Sequence, residues 1–172
     1  MLLVMRIIPQ LQPPDSMHLL AAQGWLELGN QVEAKEDLEK IAPRFRAHPD
    51  VLEVRWQIYA AAKQWEAALD IAAALIRIDP DGSLGWVGRS FALHELKRTT
   101  EARDNLLTVL DKFPGESILR YNVACYECQL GRLEQAKSWL EKAFKMGNPR
   151  RMKLAALHDP DLQPLWKHTG EL

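Results

Sequence analysis

The residues of this chain best equipped for chemistry are two cysteines in the run Cys125-Tyr126-Glu127-Cys128. A CxxC pair can act as a redox dithiol or as half of a zinc site. A redox pair normally opens a helix, where the dipole lowers the thiol pKa. This pair falls inside a predicted helix. A zinc site needs two further ligands, and the chain has neither a second CxxC nor a nearby HxxxH. The histidines, His18, His48, His94, His158 and His168, share no helical metal-ligand spacing. No glycine-rich phosphate loop, GxSxG elbow or HExxH occurs. We therefore expect no catalytic residue, no metal and no cofactor. The cysteines read as packing residues, and the chain as something other than an enzyme.

The 172 residues fit one domain with a substantial core, at 47% apolar and 26% charged residues. A net charge of -1 argues against nucleic acid as a partner, since that usually demands a basic surface. No apolar run approaches the ~18 residues a membrane helix needs. The run Met1 to Ile8 is short, lacks a leading basic residue and is followed by Pro9, Pro13 and Pro14, so export is not expected. It reads as an apolar arm, 1–14, packed on the first helices, or as a start codon placed too early. Two cysteines make no disulfide framework, and the cytoplasm is the expected location.

The elements that must position these residues follow from a repeat. Ala34, Ala68, Ala102 and Ala136 are 34 residues apart each time. Six residues before them stand Leu28, Ala62, Leu96 and Leu130; four after stand Leu38, Ala72, Leu106 and Leu140. Seven and eight after come Ile41-Ala42, Leu75-Ile76, Val109-Leu110 and Ala143-Phe144. These offsets describe one face of a helix with a 3.6-residue period. Before each alanine lies a tight turn. Gly29 and Gly131 suit the left-handed end of a helix; Lys63 and Lys97 must adopt it at some cost or use another turn. Turns this short force antiparallel neighbours. The alanine itself marks a close helix crossing where only a small side chain fits. Pro43 is expected to stop or kink the second helix of the first window near Ala42.

With its 34-residue helix-turn-helix, its small crossing residues and prolines near the window ends, the chain resembles the tetratricopeptide repeat (TPR) family. Tyr121 through Ala136 is most like the family consensus, and the first window least. The resemblance implies an all-α fold, an α-α superhelix: a right-handed solenoid of four antiparallel helix pairs over 15–148. Residues 149–172 would be capping helices, with Trp166 as the packing anchor and Met152, Leu154 and Leu157 along the first of them. The stretch Asp159-Pro160-Asp161-Leu162 resembles tails that close many TPR proteins. Trp25, Trp56, Trp65 and Trp86 are expected in the core. The runs Glu33 to Lys40 and Arg132 to Lys145 read as solvated faces.

By the same resemblance the first helix of each pair lines a concave groove. Its positions here are Leu19, Gln23 and Leu26; Glu53, Gln57 and Ala60; Val87, Phe91 and His94; and Tyr121, Asn122, Cys125 and Cys128. The Lys, Asn and Arg clamp with which some TPR domains hold acidic chaperone tails is matched only by Asn122, and Glu53 would repel such a tail. The expected function is a scaffold or adaptor that binds a peptide or helix of a partner protein. Phe91 and Tyr121 would contact its apolar anchors, unless both are partly buried between repeats. A self-associating structural module, hence a homo-oligomer, and a secretion-type chaperone are the alternatives.

Overall fold

A computed structural model describes the backbone of residues 9–169 and the side chains of 9–167. The described residues are helical and contain no strand. They form two compact units that divide between Asp79 and Pro80. The first holds α1 (Asp15–Glu27), α2 (Gln31–Glu39), α3 (Pro49–Ala61) and α4 (Trp65–Ile78). The second holds α5 (Leu84–Glu95), α6 (Thr99–Leu107), α7 (Ser117–Gln129), α8 (Leu133–Met146), α9 (Pro149–His158) and α10 (Gln163–Thr169).

Each helix pair closes through the same backbone device. Asn30 N–H reaches back to the Trp25 carbonyl at 2.8 Å, and Gly29 N–H to Leu26 at 2.9 Å. Gln64 and Lys63, Arg98 and Lys97, and Arg132 and Gly131 repeat this pair of bonds. The pattern is a Schellman motif, which requires a left-handed residue just past the helix. Gly29 and Gly131 fill that position at φ 74° and 76°. Lys63 and Lys97 fill it at φ 55° and 64°, so they take the strained option and not another turn.

All four repeat alanines are fully buried. In the first unit Ala34 joins Leu11, Leu19, Ala22, Leu38, Ile41, Val51, Val54 and Ile58 in one core, with Trp25, Leu26 and Phe45 packed against it. Burying a side chain such as Leu38 contributes about 1.5–3 kcal/mol. Tryptophans Trp25, Trp56, Trp65 and Trp86 are only partly buried, at the core's edge. Trp25 donates its indole N–H to Asp37 at 2.8 Å, a polar tie between α1 and α2. Leu11 carries the arm's described part, 9–14, into this core; the arm's first eight residues lie outside the described residues.

The second helix of the first window ends at Glu39, before the expected stop. Ala42 is extended, at ψ 139°, as a residue before proline prefers, and Pro43–Phe45 form a 3-10 turn. The Ala42 N–H freed from the helix donates to Asp15 at 2.7 Å, which secures the break. Proline is not the whole cause, because α6 is equally short and has no proline at the matching place. The helix lengths run 13, 9, 13 and 14 in α1 to α4, and 12, 9, 13 and 14 in α5 to α8. In windows one and three, Ile41, Val109 and Leu110 keep their burial from turns that follow the helix.

The tail corrects one expectation, that of Trp166 as its anchor. Of α9, Ala156 alone is buried among its residues, and Leu154 and Leu157 stand exposed. The anchors of the tail are Leu162 and Leu165, both fully buried. Trp166 is half-buried and turns its indole N–H back to the Ala156 carbonyl at 2.9 Å.

Candidate functional site

In the first unit, the first-helix positions of α1 and α3 open on a hollow of about 680 Å³. Its lining is Leu20, Gln23, Gly24, Leu26 and Glu27 from α1 and Gln57 from α3. Gln23, Leu26 and Gln57 were expected there; Leu20, Gly24 and Glu27 were not. The missing signal was simple spacing, since Leu20 and Glu27 lie three and four residues from Gln23, and four and three from Gly24, along one face. Leu20 is exposed despite its apolar side chain. Leu19, expected in the groove, belongs to the core. Glu53 sits beside the hollow and accepts from the Gln57 amide at 3.5 Å. Burial, and then the neighbouring Asp50, push the Glu53 carboxyl above its ordinary pKa.

In the second unit, the corresponding face is occupied by the chain's own tail. After α9 the chain turns through Asp159, Pro160, Asp161 and Leu162 across α7. The Tyr121 hydroxyl donates to the Asp159 carboxylate at 2.8 Å, and the Cys125 thiol to the same oxygen at 3.6 Å. The Gln129 amide donates to the Asp161 carbonyl at 2.8 Å. His94 Nε2 of α5 lies 3.2 Å from the Asp161 carboxylate. A carboxylate only accepts, so Nε2 carries the proton toward Asp161, while Nδ1 lies 3.0 Å from the Thr99 hydroxyl. Asp159 also caps its own turn by accepting from Asp161 N–H at 3.0 Å.

His94, Cys125 and Cys128 are therefore buried under Asp159–Leu165, not open to solvent. Tyr121 and Asn122 are half-buried, Val87 likewise, and Phe91 is exposed on α5. Of the predicted positions in this unit, the tail engages His94, Tyr121, Cys125 and Cys128 directly. The sequence offered no signal for this, because the tail lies outside the repeat. The face takes up two carboxylates without a lysine or arginine, using a phenol, a thiol and an imidazole, while an amide takes a backbone carbonyl.

The thiols are held in their protonated form. Burial pushes the Cys125 thiol well up, and the Asp159 and Asp161 charges push it further. Burial also raises Cys128, against a smaller opposing effect of a hydrogen bond with the Leu165 backbone. A protonated, buried thiol is a poor nucleophile and a poor metal ligand. Both cysteines are free, and they lie in the C-terminal half of α7, away from the helix end that would lower their pKa. Among the described residues, no group of three or more His, Cys, Asp or Glu is arranged to hold a metal ion. No helix among them is long and apolar enough to cross a membrane.

No family model matches the sequence, and no curated protein matches it. Solved structures do match. The crystal structure of TTC0263, a thermophilic TPR protein in Thermus thermophilus, aligns with a TM-score of 0.71 at 19% identity, covering 84% of this chain and 82% of that one. A MamA RS-1 double mutant aligns with a TM-score of 0.66 at 17% identity, over 92% of this chain and 98% of that one. A chain of the APC/C hetero-tetramer Cut9-Hcn1 aligns with a TM-score of 0.68 at 15% identity, over 88% of this chain and 29% of that one. With the 34-residue period and the four Schellman turns, these likenesses show the fold: an all-α, TPR-like solenoid.

Proposed function

We propose that this chain is a non-catalytic scaffold that holds a segment of a partner protein on the exposed faces of its first helices. The observation that carries the reading is the hollow lined by Leu20, Gln23, Leu26 and Gln57. It combines apolar surface with amides able to both donate and accept, which suits an extended or helical segment with one or two apolar anchors. TPR-like neighbours support a protein-binding role in general. The near-neutral net charge weighs against nucleic acid, and the free, buried thiols fit the cytoplasm. Self-association is the second reading, favoured by Leu154 and Leu157, which α9 leaves exposed.

The test is affinity capture from lysate with the natural chain and with a Leu20→Arg, Gln57→Arg variant, both sites being exposed. A protein recovered by the natural chain should be lost with the variant at an unchanged melting temperature. Recovery of the same proteins by both would end this assignment of the hollow.

A further inference from the structure

The tail that crosses α7 behaves as a ligand as much as a cap. Its groups meet the first-helix face in the way a bound peptide would: one carboxylate on Tyr121 and Cys125, the next on His94, a backbone carbonyl on Gln129, and two leucines fully buried. The helix that delivers it, α9, buries Ala156 alone among its own residues. We propose that the α5–α7 face is a peptide-recognition site whose cis occupant is Asp159–Leu165. Its trans occupant is a partner segment of the same chemistry: carboxylate, proline, carboxylate, leucine. This inference rests on the reading of the chain as a segment-binding scaffold and names the partner chemistry of its second face.

The chemistry of the face selects that occupant. Tyr121, Cys125 and Gln129 offer hydrogen to an acceptor, and His94 does so from Nε2, which faces the Asp161 carboxylate. A basic segment would bring donors to donors. A purely apolar segment would leave the Tyr121 hydroxyl and His94 Nε2 without an acceptor, which a covered donor tolerates poorly. A proline between the two acids removes one backbone N–H and presets the turn that sets both carboxylates on one side.

Competition follows from the covalent link. A tail joined through one short helix has an effective concentration on the order of millimolar. A trans segment therefore meets an empty site only for the fraction of time the tail is away, and its apparent affinity falls by that fraction. Weakening the tail should restore the affinity.

The experiment uses the full chain and a fluorescein-labelled synthetic peptide with the sequence of residues 157–167. Binding is read by anisotropy to the natural chain, to an Asp159→Ala, Asp161→Ala variant and to a Leu162→Ala variant. Both variants change the tail and leave the receiving face intact, and either one that keeps its helical melting transition serves. The expected result is binding to the variant tighter by about tenfold or more than to the natural chain. A peptide with both aspartates replaced by alanine should bind neither. Bound peptide should also slow the reaction of Cys125 and Cys128 with a thiol reagent. Equal binding to variant and natural chain, or equal binding of the alanine peptide, would overturn the proposal. So would a variant that ignores the free peptide and forms dimers by sedimentation, which would assign the site to a second copy. Capture through the Leu20 and Gln57 hollow is a separate readout. If it survives while the peptide fails, this inference falls and the scaffold reading stands.

Discussion

The Tyr121 hydroxyl donates to the Asp159 carboxylate at 2.8 Å, binding the first turns of α7 to the start of the tail's crossing. Burial first, and the carboxylate second, hold the phenol well above its ordinary pKa, so it remains a donor throughout the physiological range. Tyr121→Phe removes that donor and little else. At a half-buried site the loss should be about 1 kcal/mol, lowering the melting temperature by about 2–4 °C. Reaction of Cys125 with a thiol reagent should quicken in parallel. Circular dichroism and thiol titration check both; a variant unchanged in each would show the contact to be idle.

Ala102 and Ala136 are fully buried at the positions where the second helices meet their neighbours. Ala102→Leu or Ala136→Leu forces side chains into space already filled, at about 1–3 kcal/mol. Each variant should melt clearly below the natural chain. Two unshifted melting curves would contradict a close crossing.

Lys63 and Lys97 occupy the left-handed position that Gly29 and Gly131 fill in the other two turns. Both lysines are exposed, so little but backbone strain is at stake. Lys63→Gly and Lys97→Gly should each stabilise by about 0.5–1 kcal/mol, the relief of strain outweighing the extra freedom of the unfolded glycine. The opposite sign is expected for Gly29→Ala and Gly131→Ala. Denaturant titrations of the four variants would reveal whether the signs split as stated.

Glu53 has a carboxyl raised in the folded chain by burial and by Asp50. A raised folded pKa favours the protonated form. Its contribution to stability is therefore whole below the unfolded value and is lost as pH rises through the folded one. Glu53→Gln should make the chain more stable than its parent at pH 7, with the difference closing as pH falls toward 4. Melting curves across that range give the answer, and a difference that widens on acidification would reverse the sign.

The helix pairs were legible because local rules dictate them. The period of Ala34, Ala68, Ala102 and Ala136, with leucines four residues on in three of the windows, specifies a buried face whatever lies around it. The turns were legible even at Lys63 and Lys97, where the backbone bonds of the motif outweigh a side chain that disfavours them. The length of α6 was not, since Val109 and Leu110 continue the apolar spacing but reach the core from a turn. Gln23 and Gln57, assigned to an open face by the family resemblance and not by the period alone, are exposed. His94, Cys125 and Cys128 stood at equivalent places and ended buried, because a segment far along the chain covers them. No periodic pattern records where such a segment lands; that is settled by a few hydrogen bonds between residues such as Tyr121 and Asp159.

The run of helix lengths in α1 to α4 recurs almost unchanged in α5 to α8. Neighbouring windows are thus not interchangeable parts, although their sequences share one period. Deletion of one inner window would set short beside short or long beside long. Internal duplication or shortening of this chain, in its ancestry or at an engineer's bench, keeps its alternation only when it proceeds two windows at a time.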